Sequence, residues 1–113
     1  GQIIGSIILN HHPEPAYDKA VWGIESDYSK IFVIHTLVVH PDFLKAGIGK
    51  KLISFACELG KKLNIKAIRL DTYEKNIPAI KLYEKFGFNH IDTIDLSLGE
   101  YGLHRFRLYE KIL

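Results

Sequence analysis

A change of hydrophobic period across a pair of glycines constrains this chain more than any other feature. Ile31 to His40 reads IFVIHTLVVH, the most β-branched stretch of the chain, and Pro41 closes it. Such a run is a central strand. Soon afterwards apolar residues recur at Ile48, Leu52, Phe55, Ala56, Leu59 and Leu63, with Lys50, Lys51, Lys61 and Lys62 off that set. This spacing is one stripe of an amphipathic helix. Gly47 and Gly49 stand where the strand hands over to the helix. The first N–H groups of a helix lack backbone partners and carry the positive end of its dipole. Glycines there let an anion approach the backbone, or let the helix pack tightly on the strand. Spacing does not separate these two uses.

The flanking segments continue the alternation of strands and helices. Gln2 to Leu9 (QIIGSIIL) reads as a strand, with Gly5 a candidate bulge or close approach. His11 to Pro15 holds two prolines and is a loop, Ala20 to Ile24 reads as a short strand, and Glu25 to Lys30 is turn chemistry. Ala67 to Thr72 is a strand. Ile77 to Phe86 is a short helix, with Pro78 in its first turn and Gly87 just past its end. Phe88 to Leu96 and Leu103 to Ile112 are strands flanking a turn at Gly99 to Gly102. The expected fold class is α/β (α+β): a mixed central sheet with helices packed on it. It has a parallel strand pair across the helix from Ala46 to Leu63 and an antiparallel end.

Composition narrows the function. A chain of 113 residues is one domain or part of one. Fifteen Lys and Arg against thirteen Asp and Glu leave +2, with no Arg-rich run, which argues against a nucleic-acid partner. The one cysteine, Cys57, has no internal disulfide partner, so a reducing, cytoplasmic setting is expected, and it reads as a small apolar helix residue. No apolar run approaches the roughly 18 residues of a membrane span, so no membrane partner is expected. His11, His12, His90 and His104 lack metal-ligand spacing, and no metal is expected. The chain has no Met, even at position 1, and is expected to be a piece whose natural start lies elsewhere.

The glycine turn fails two phosphate-binding patterns. Counted from Gly49, a Walker A loop would place Gly at Leu44 and Ser or Thr at Lys51. A dinucleotide fingerprint would need its third Gly at Leu52. Taken with the segments that follow, however, the turn resembles a known family. The run LVVHPDFLKAGIGKKLI, then a strand, then Asn76, Ala79, Tyr83, Gly87 and Phe88 resemble the GNAT superfamily of acetyl-coenzyme A-dependent N-acetyltransferases. The first block is similar to its coenzyme A loop, Q/R-x-x-G-x-G/A, and the second to its N-x-x-A-x-x-x-Y-x-x-x-G-F segment. The two blocks run from about Ile31 to Phe88. Leu44 departs from the pattern at the Q/R position, which implies weakened but retained binding. Superfamily members usually begin with a strand and one or two helices ahead of the strand matched by Gln2 to Leu9. This single GNAT-like domain is therefore expected to lack elements that often build the acceptor pocket.

The resemblance implies a site. Backbone groups of Leu37, Val38 and Val39 would pair with the pantetheine arm, and one amide would donate to the acetyl oxygen. Leu44, Lys45, Ala46, Gly47, Ile48, Gly49 and Lys50 would form the coenzyme loop, with amides from Lys45 to Lys50 on the pyrophosphate. The Lys45 and Lys50 side chains would meet the remaining phosphate, unless they are solvated surface lysines. Asn76 would contact the coenzyme, cap its helix, or do both. Tyr83 would protonate the leaving thiolate, since phenol and thiol pKa values are close. Its alternative is a core aromatic, one turn from Ala79.

His35 is the candidate base. On a regular strand it shares a side with Leu37 and Val39, and imidazole accepts protons near neutral pH. The segment from His35 to His40 also resembles the arylalkylamine N-acetyltransferase branch, where a histidine relays protons through water. A satisfied buried histidine is the alternative, and His40 reads as structural. The expected function is direct acetyl transfer from acetyl-coenzyme A, a co-substrate, to an amine on a small molecule or peptide, in a ternary complex. A non-catalytic coenzyme A-binding or interaction module is the alternative, and a plain structural α/β domain a third reading. The superfamily resemblance is compatible with a homodimer.

Overall fold

The computed structural model describes residues 4–43, 47–95, 99–102 and 105–113. Strand β1 (Gly5–Asn10) pairs antiparallel with β2 (Ile31–Val39). Helix α1 (Ile48–Lys62) leads from β2 to β3 (Ala67–Tyr73), which lies parallel to β2. Helix α2 (Ile77–Lys85) leads to β4 (Asn89–Ile94), and β5 (Phe106–Ile112) inserts between β3 and β4, antiparallel to both. The five-stranded sheet has the order β1-β2-β3-β5-β4. This is the mixed sheet with packed helices that the pattern of periods calls for.

The central strands are apolar because they are covered on both faces. Ile31, Phe32, Val33 and Ile34 of β2 are all buried, as are Ala67, Ile68 and Leu70 of β3. Phe32, Ile34, Ile68 and Leu70 pack against Ile53 and Ala56 of α1 and Ile80 and Tyr83 of α2, so both helices share one face. The helical stripe is rotated from the sequence expectation. Phe55 and Leu63 are half exposed, while Ile53 and Gly60 are buried. The expected stripe passed over Ile53 and Gly60, which with Ala56 are the buried residues of α1. Asn64, at φ 58°, ends α1 in the left-handed region, and Gly87 ends α2 where expected.

The opposite sheet face is covered by the long connection between β1 and β2, residues 11–30. Tyr17, from a 3₁₀ turn at Pro15–Lys19, is fully buried against Ile31, Val33, Ala67 and Leu108. The short strand expected at Ala20 to Ile24 does not form. Its polar groups go to side chains instead of a ladder: Gly23 N–H donates to Glu110 and the Ile24 carbonyl accepts from Arg69. Trp22 Nε1 donates to the Tyr17 carbonyl. Gly5 pairs in register with Val39 and is a close approach, since a Cβ there would stand 2.7 Å from Ile48 Cγ2; the bulge lies further along, where Ile8 and Leu9 of β1 face an extra residue of β2. The turn near Gly99 is a 3₁₀ turn, Gly99–Tyr101, and a second one at Tyr28–Lys30 is capped by Asp27. The expected strand ends at Gln2, Leu96 and Leu103 and the helix start at Ala46 lie outside the described residues. Among the described residues, no helix is long and apolar enough to cross a membrane.

One buried ion pair ties this connection to the sheet. Arg69 Nε donates to Glu110 Oε2 at 2.9 Å, with both side chains almost wholly buried. The remaining guanidinium nitrogens donate to Tyr28 Oη and the Ile24 carbonyl, and the plane is stacked on Trp22. Removing one partner leaves a buried charge unpaired. Glu110→Gln is expected to lower unfolding free energy by about 3–5 kcal/mol, and the double change Arg69→Met/Glu110→Leu to recover only part of the loss, because it also removes the partners of Gly23 N–H, the Ile24 carbonyl and Tyr28 Oη. Urea denaturation measures both, and a single-variant loss under about 1 kcal/mol would contradict this account.

Candidate functional site

The sheet opens in its middle. Pairing of β2 with β3 ends at Ile34↔Leu70, although β2 runs on to Val39 against β1 and β3 runs on to Tyr73 against β5. At the same level β2 carries one extra residue: Ile8 pairs with Thr36 and Leu9 with Ile34, leaving His35 opposite no residue of β1. An inserted residue reverses the alternation of faces. Before it, Phe32 and Ile34 join the core under the helices; after it, Leu37 does. His35 goes with Ile31 and Val33 on the other face, where it meets Asn10 and Glu14. The expectation that His35 shares a side with Leu37 and Val39 is therefore corrected, and the bulge is the reason.

On the helix side the gap leads into a cavity of about 550 Å³. Leu37 and Val39 form one wall, Gly47, Gly49 and Lys50 the second, and Asn76, Ala79 and Leu82 the third. Six of the sequence-derived residues thus converge. Val38 is half exposed and does not line the cavity, nor does Ile48, which packs toward Gly5. Leu44, Lys45 and Ala46 lie outside the described residues. A smaller hollow on the opposite face, about 310 Å³, borders Arg69, whose donors are committed to the ion pair and its neighbours.

The two glycines have different jobs. Gly47 precedes α1 at φ 74°, in the left-handed region, and open space lies where its Cβ would be. No side chain caps α1 there. Its first amides, at the cavity wall, are suited to an anion. Gly49 is a packing residue: a Cβ would stand 3.0 Å from Leu82 Cδ2 on α2. Lys50 adds positive charge, and Lys85 close beside it holds Lys50 below the ordinary lysine value. Two ammonium groups held together suit the same ligand chemistry as the helix terminus.

Tyr83 follows Leu82 on α2 but does not line the cavity. Its ring is buried in the core beside Phe88 and Tyr109. Burial, then the charge of Asp71, push its phenol up to about 12, so it keeps its proton at neutral pH. Asp71 follows the last β2–β3 pair on β3 and takes a 2.5 Å hydrogen bond from Tyr17 Oη. Burial raises its carboxyl, and nearby Glu14 raises it further. His35 Nε2 lies 2.8 Å from Asn10 Oδ1, and Nδ1 lies 3.9 Å from Glu14 Oε1. Tyr83 thus packs in the core cluster with Ile34 and Leu70, the last pair before the gap, and an imidazole and two carboxylates lie on the other face. Sequence reasoning missed Asn10, Glu14 and Asp71. The available signal was Asp71 itself, an acid two residues from Arg69 in an otherwise buried strand.

Asn76 Oδ1 accepts from Ala79 N–H at 3.3 Å and so caps α2 while lining the cavity. His40 Nδ1 accepts from Asp42 N–H at 3.1 Å, and its ring meets the edge of Phe43. Burial pushes the Cys57 thiol above its ordinary value, which keeps it a thiol.

This geometry, a sheet parted beside a glycine-opened helix, has known relatives. The family model described as Acetyltransferase (GNAT) family matches residues 1–88, and the chain belongs to that family. It is 37% identical over 75 residues to the UPF0157 protein YqkA of Bacillus subtilis (strain 168), covering 66% of this chain and 21% of that one. It is 35% identical over 89 residues to glucosamine 6-phosphate N-acetyltransferase of Trypanosoma brucei brucei, covering 78% of this chain and 52% of the relative. The chain thus spans about a fifth and about half of these two proteins. Among solved structures, a protein named as a streptothricin acetyltransferase of Bacillus anthracis str. Ames, in complex with acetyl coenzyme A, superposes with a TM-score of 0.76. That match has 24% identity and covers 99% of this chain and 57% of the other, so it speaks to the fold.

The lysine pair makes a direct test. Lys85→Met removes the neighbouring cation, so the Lys50 ammonium is expected to titrate at higher pH than in the parent chain. NMR detection of the Nζ resonances reads this, and an unmoved Lys50 would mean that the two groups do not face each other in solution.

Proposed function

We propose that the cavity receives coenzyme A and that the gap between β2 and β3 is where an acetyl group passes from its thioester to an amine. The single observation that carries this reading is the loss of β2–β3 pairing beyond Ile34 and Leu70, beside an uncapped helix start. The Gly47–Lys50 turn and Lys85 suit the phosphates, and the freed edge of β2 offers backbone groups to the pantetheine arm. The names of relatives support this reading: one is a glucosamine 6-phosphate N-acetyltransferase, another binds acetyl coenzyme A.

The acceptor enters from the opposite face in this reading. Glu14 and Asp71 favour its ammonium form, and the base, His35 directly or through water, takes a proton to give the neutral amine. The amine nitrogen forms a bond to the acetyl carbon, the carbon–sulfur bond breaks, and the electron pair leaves on sulfur. Tyr83 gives its proton to that thiolate, and the nitrogen's surplus proton returns through solvent to the phenolate. His35 gives the proton it took from the ammonium to solvent, so the products are an amide, a free thiol and one proton, with no bond to the protein. Asp71 is the second candidate base, because burial raises its carboxyl toward the working range.

Three measurements test this. Acetyl-coenzyme A at 100-fold over its Kd is expected to stabilise the chain by about 2.7 kcal/mol, roughly 10–20 °C in Tm. Absence of any shift would favour the plain structural domain, and a shift without acetylation of any amine in a broad panel would favour a binding module. Tyr83→Phe is expected to lower kcat by roughly a hundredfold with unchanged coenzyme affinity, and unchanged turnover removes Tyr83 from the chemistry. His35→Ala is expected to abolish the acidic limb of the pH–rate profile. If that limb survives and disappears in Asp71→Asn, the base is Asp71.

A further inference from the structure

His35 is held by a network that the sequence motifs do not include. Asn10 is the last residue of β1, and its Oδ1 accepts from the His12 backbone N–H at 2.9 Å. A backbone N–H is always a donor, so this contact fixes which end of the Asn10 amide is oxygen. The same Oδ1 lies 2.8 Å from His35 Nε2. An amide oxygen has no proton to give, so His35 Nε2 must carry one. The other ring nitrogen, Nδ1, then holds the lone pair of the neutral imidazole. Glu14 faces it at 3.9 Å, and the Asp71 carboxylate, bonded to Tyr17, is near enough to act on the same ring.

We propose that Asn10 is a positioning residue that locks His35 in the Nε2–H tautomer, leaving Nδ1 as the nitrogen that receives a proton. This rests on the acetyl-transfer reading for its role in turnover. The chemistry follows from the acceptor's balance. A lone pair at Nδ1 takes one proton from the incoming ammonium, and the imidazolium so formed keeps its Nε2–H bond to Asn10 while Glu14 faces the new charge. Had Asn10 been apolar, either tautomer could form, and the one with its proton on Nδ1 would present no lone pair to Glu14's side. The bulge makes the network possible, since it turns His35 away from the helices and toward the end of β1.

The test reads the tautomer directly. In the full chain labelled with ¹⁵N-histidine, long-range proton–nitrogen NMR of the His35 ring, assigned by comparison with His35→Gln, is expected to show the proton on Nε2. Asn10→Ala is expected to populate the Nδ1–H form and lower kcat about five- to tenfold with KM for acetyl-coenzyme A unchanged. Asn10→Asp, which keeps an acceptor oxygen in place, is expected to restore the Nε2–H ring, while its added charge favours the imidazolium and moves the acidic limb of the pH–rate profile to higher pH. The proposal is overturned by an Nδ1–H ring in the parent chain, by a ring indifferent to Asn10→Ala, or by a changed tautomer with unchanged kcat. The spectrum needs no substrate. A parent chain that transfers no acetyl group would overturn the acetyl-transfer reading separately, with the tautomer still decided.

Discussion

The parting of two parallel strands is the constraint on which the rest of this molecule depends. A parallel pair inside a sheet normally stays hydrogen-bonded along its shared length, because an unpaired backbone group in a buried place is unfavourable. Here β2 and β3 separate after four paired residues, each retained by its outer neighbour. The separation is sustained from both sides. The inserted residue at His35 changes which side chains β2 turns toward the helices, and α1 and α2 close on each other through Gly49 and Leu82 above the opening. Backbone that would otherwise be committed to the sheet becomes available to something else.

The face away from the helices is stabilised by a different principle. No helix from the described residues lies on it; a connection with two 3₁₀ turns is pinned there by one large buried aromatic, Tyr17, and one buried ion pair, Arg69 with Glu110. Such a pair contributes little net stability compared with apolar packing, but it is unforgiving of a missing partner. It therefore fixes the path of the connection, and that path carries Glu14 and Tyr17 to the gap. Structure and candidate chemistry share one segment.

Much of this was legible in the residues. The switch of period between Val39 and Ile48, Pro78 at a helix start and Gly87 past its end were enough to place most of the strands and both helices. The paired motifs around Gly47 and Asn76 led to the cavity walls. Three features escaped. The inward face of α1 was misplaced because apolar Phe55 and Leu63 drew the stripe toward solvent and away from Ile53 and Gly60. Ala20 to Ile24 has strand-like residues but satisfies its backbone with Arg69 and Glu110, partners far away in sequence. The bulge at His35 leaves no trace in a β-branched run, because strand propensity reports how residues suit a pleated surface and says nothing of register. That last omission put His35 on the wrong face and hid its neighbours.

The bulge also sets how this molecule tolerates change in length. On either side of His35 the apolar side chains of β2 fall on opposite parity in the sequence, because one surplus residue lies between the two halves. Exchanging a side chain there alters one contact. Losing His35 would leave Ile34, Thr36 and Leu37 consecutive opposite Leu9, Ile8 and Ile7, so each would keep its face while the bulge itself disappeared. The surplus residue is thus a feature of the opening and of the His35 network rather than of the core, and a shortening at this one point is one the core side chains can absorb.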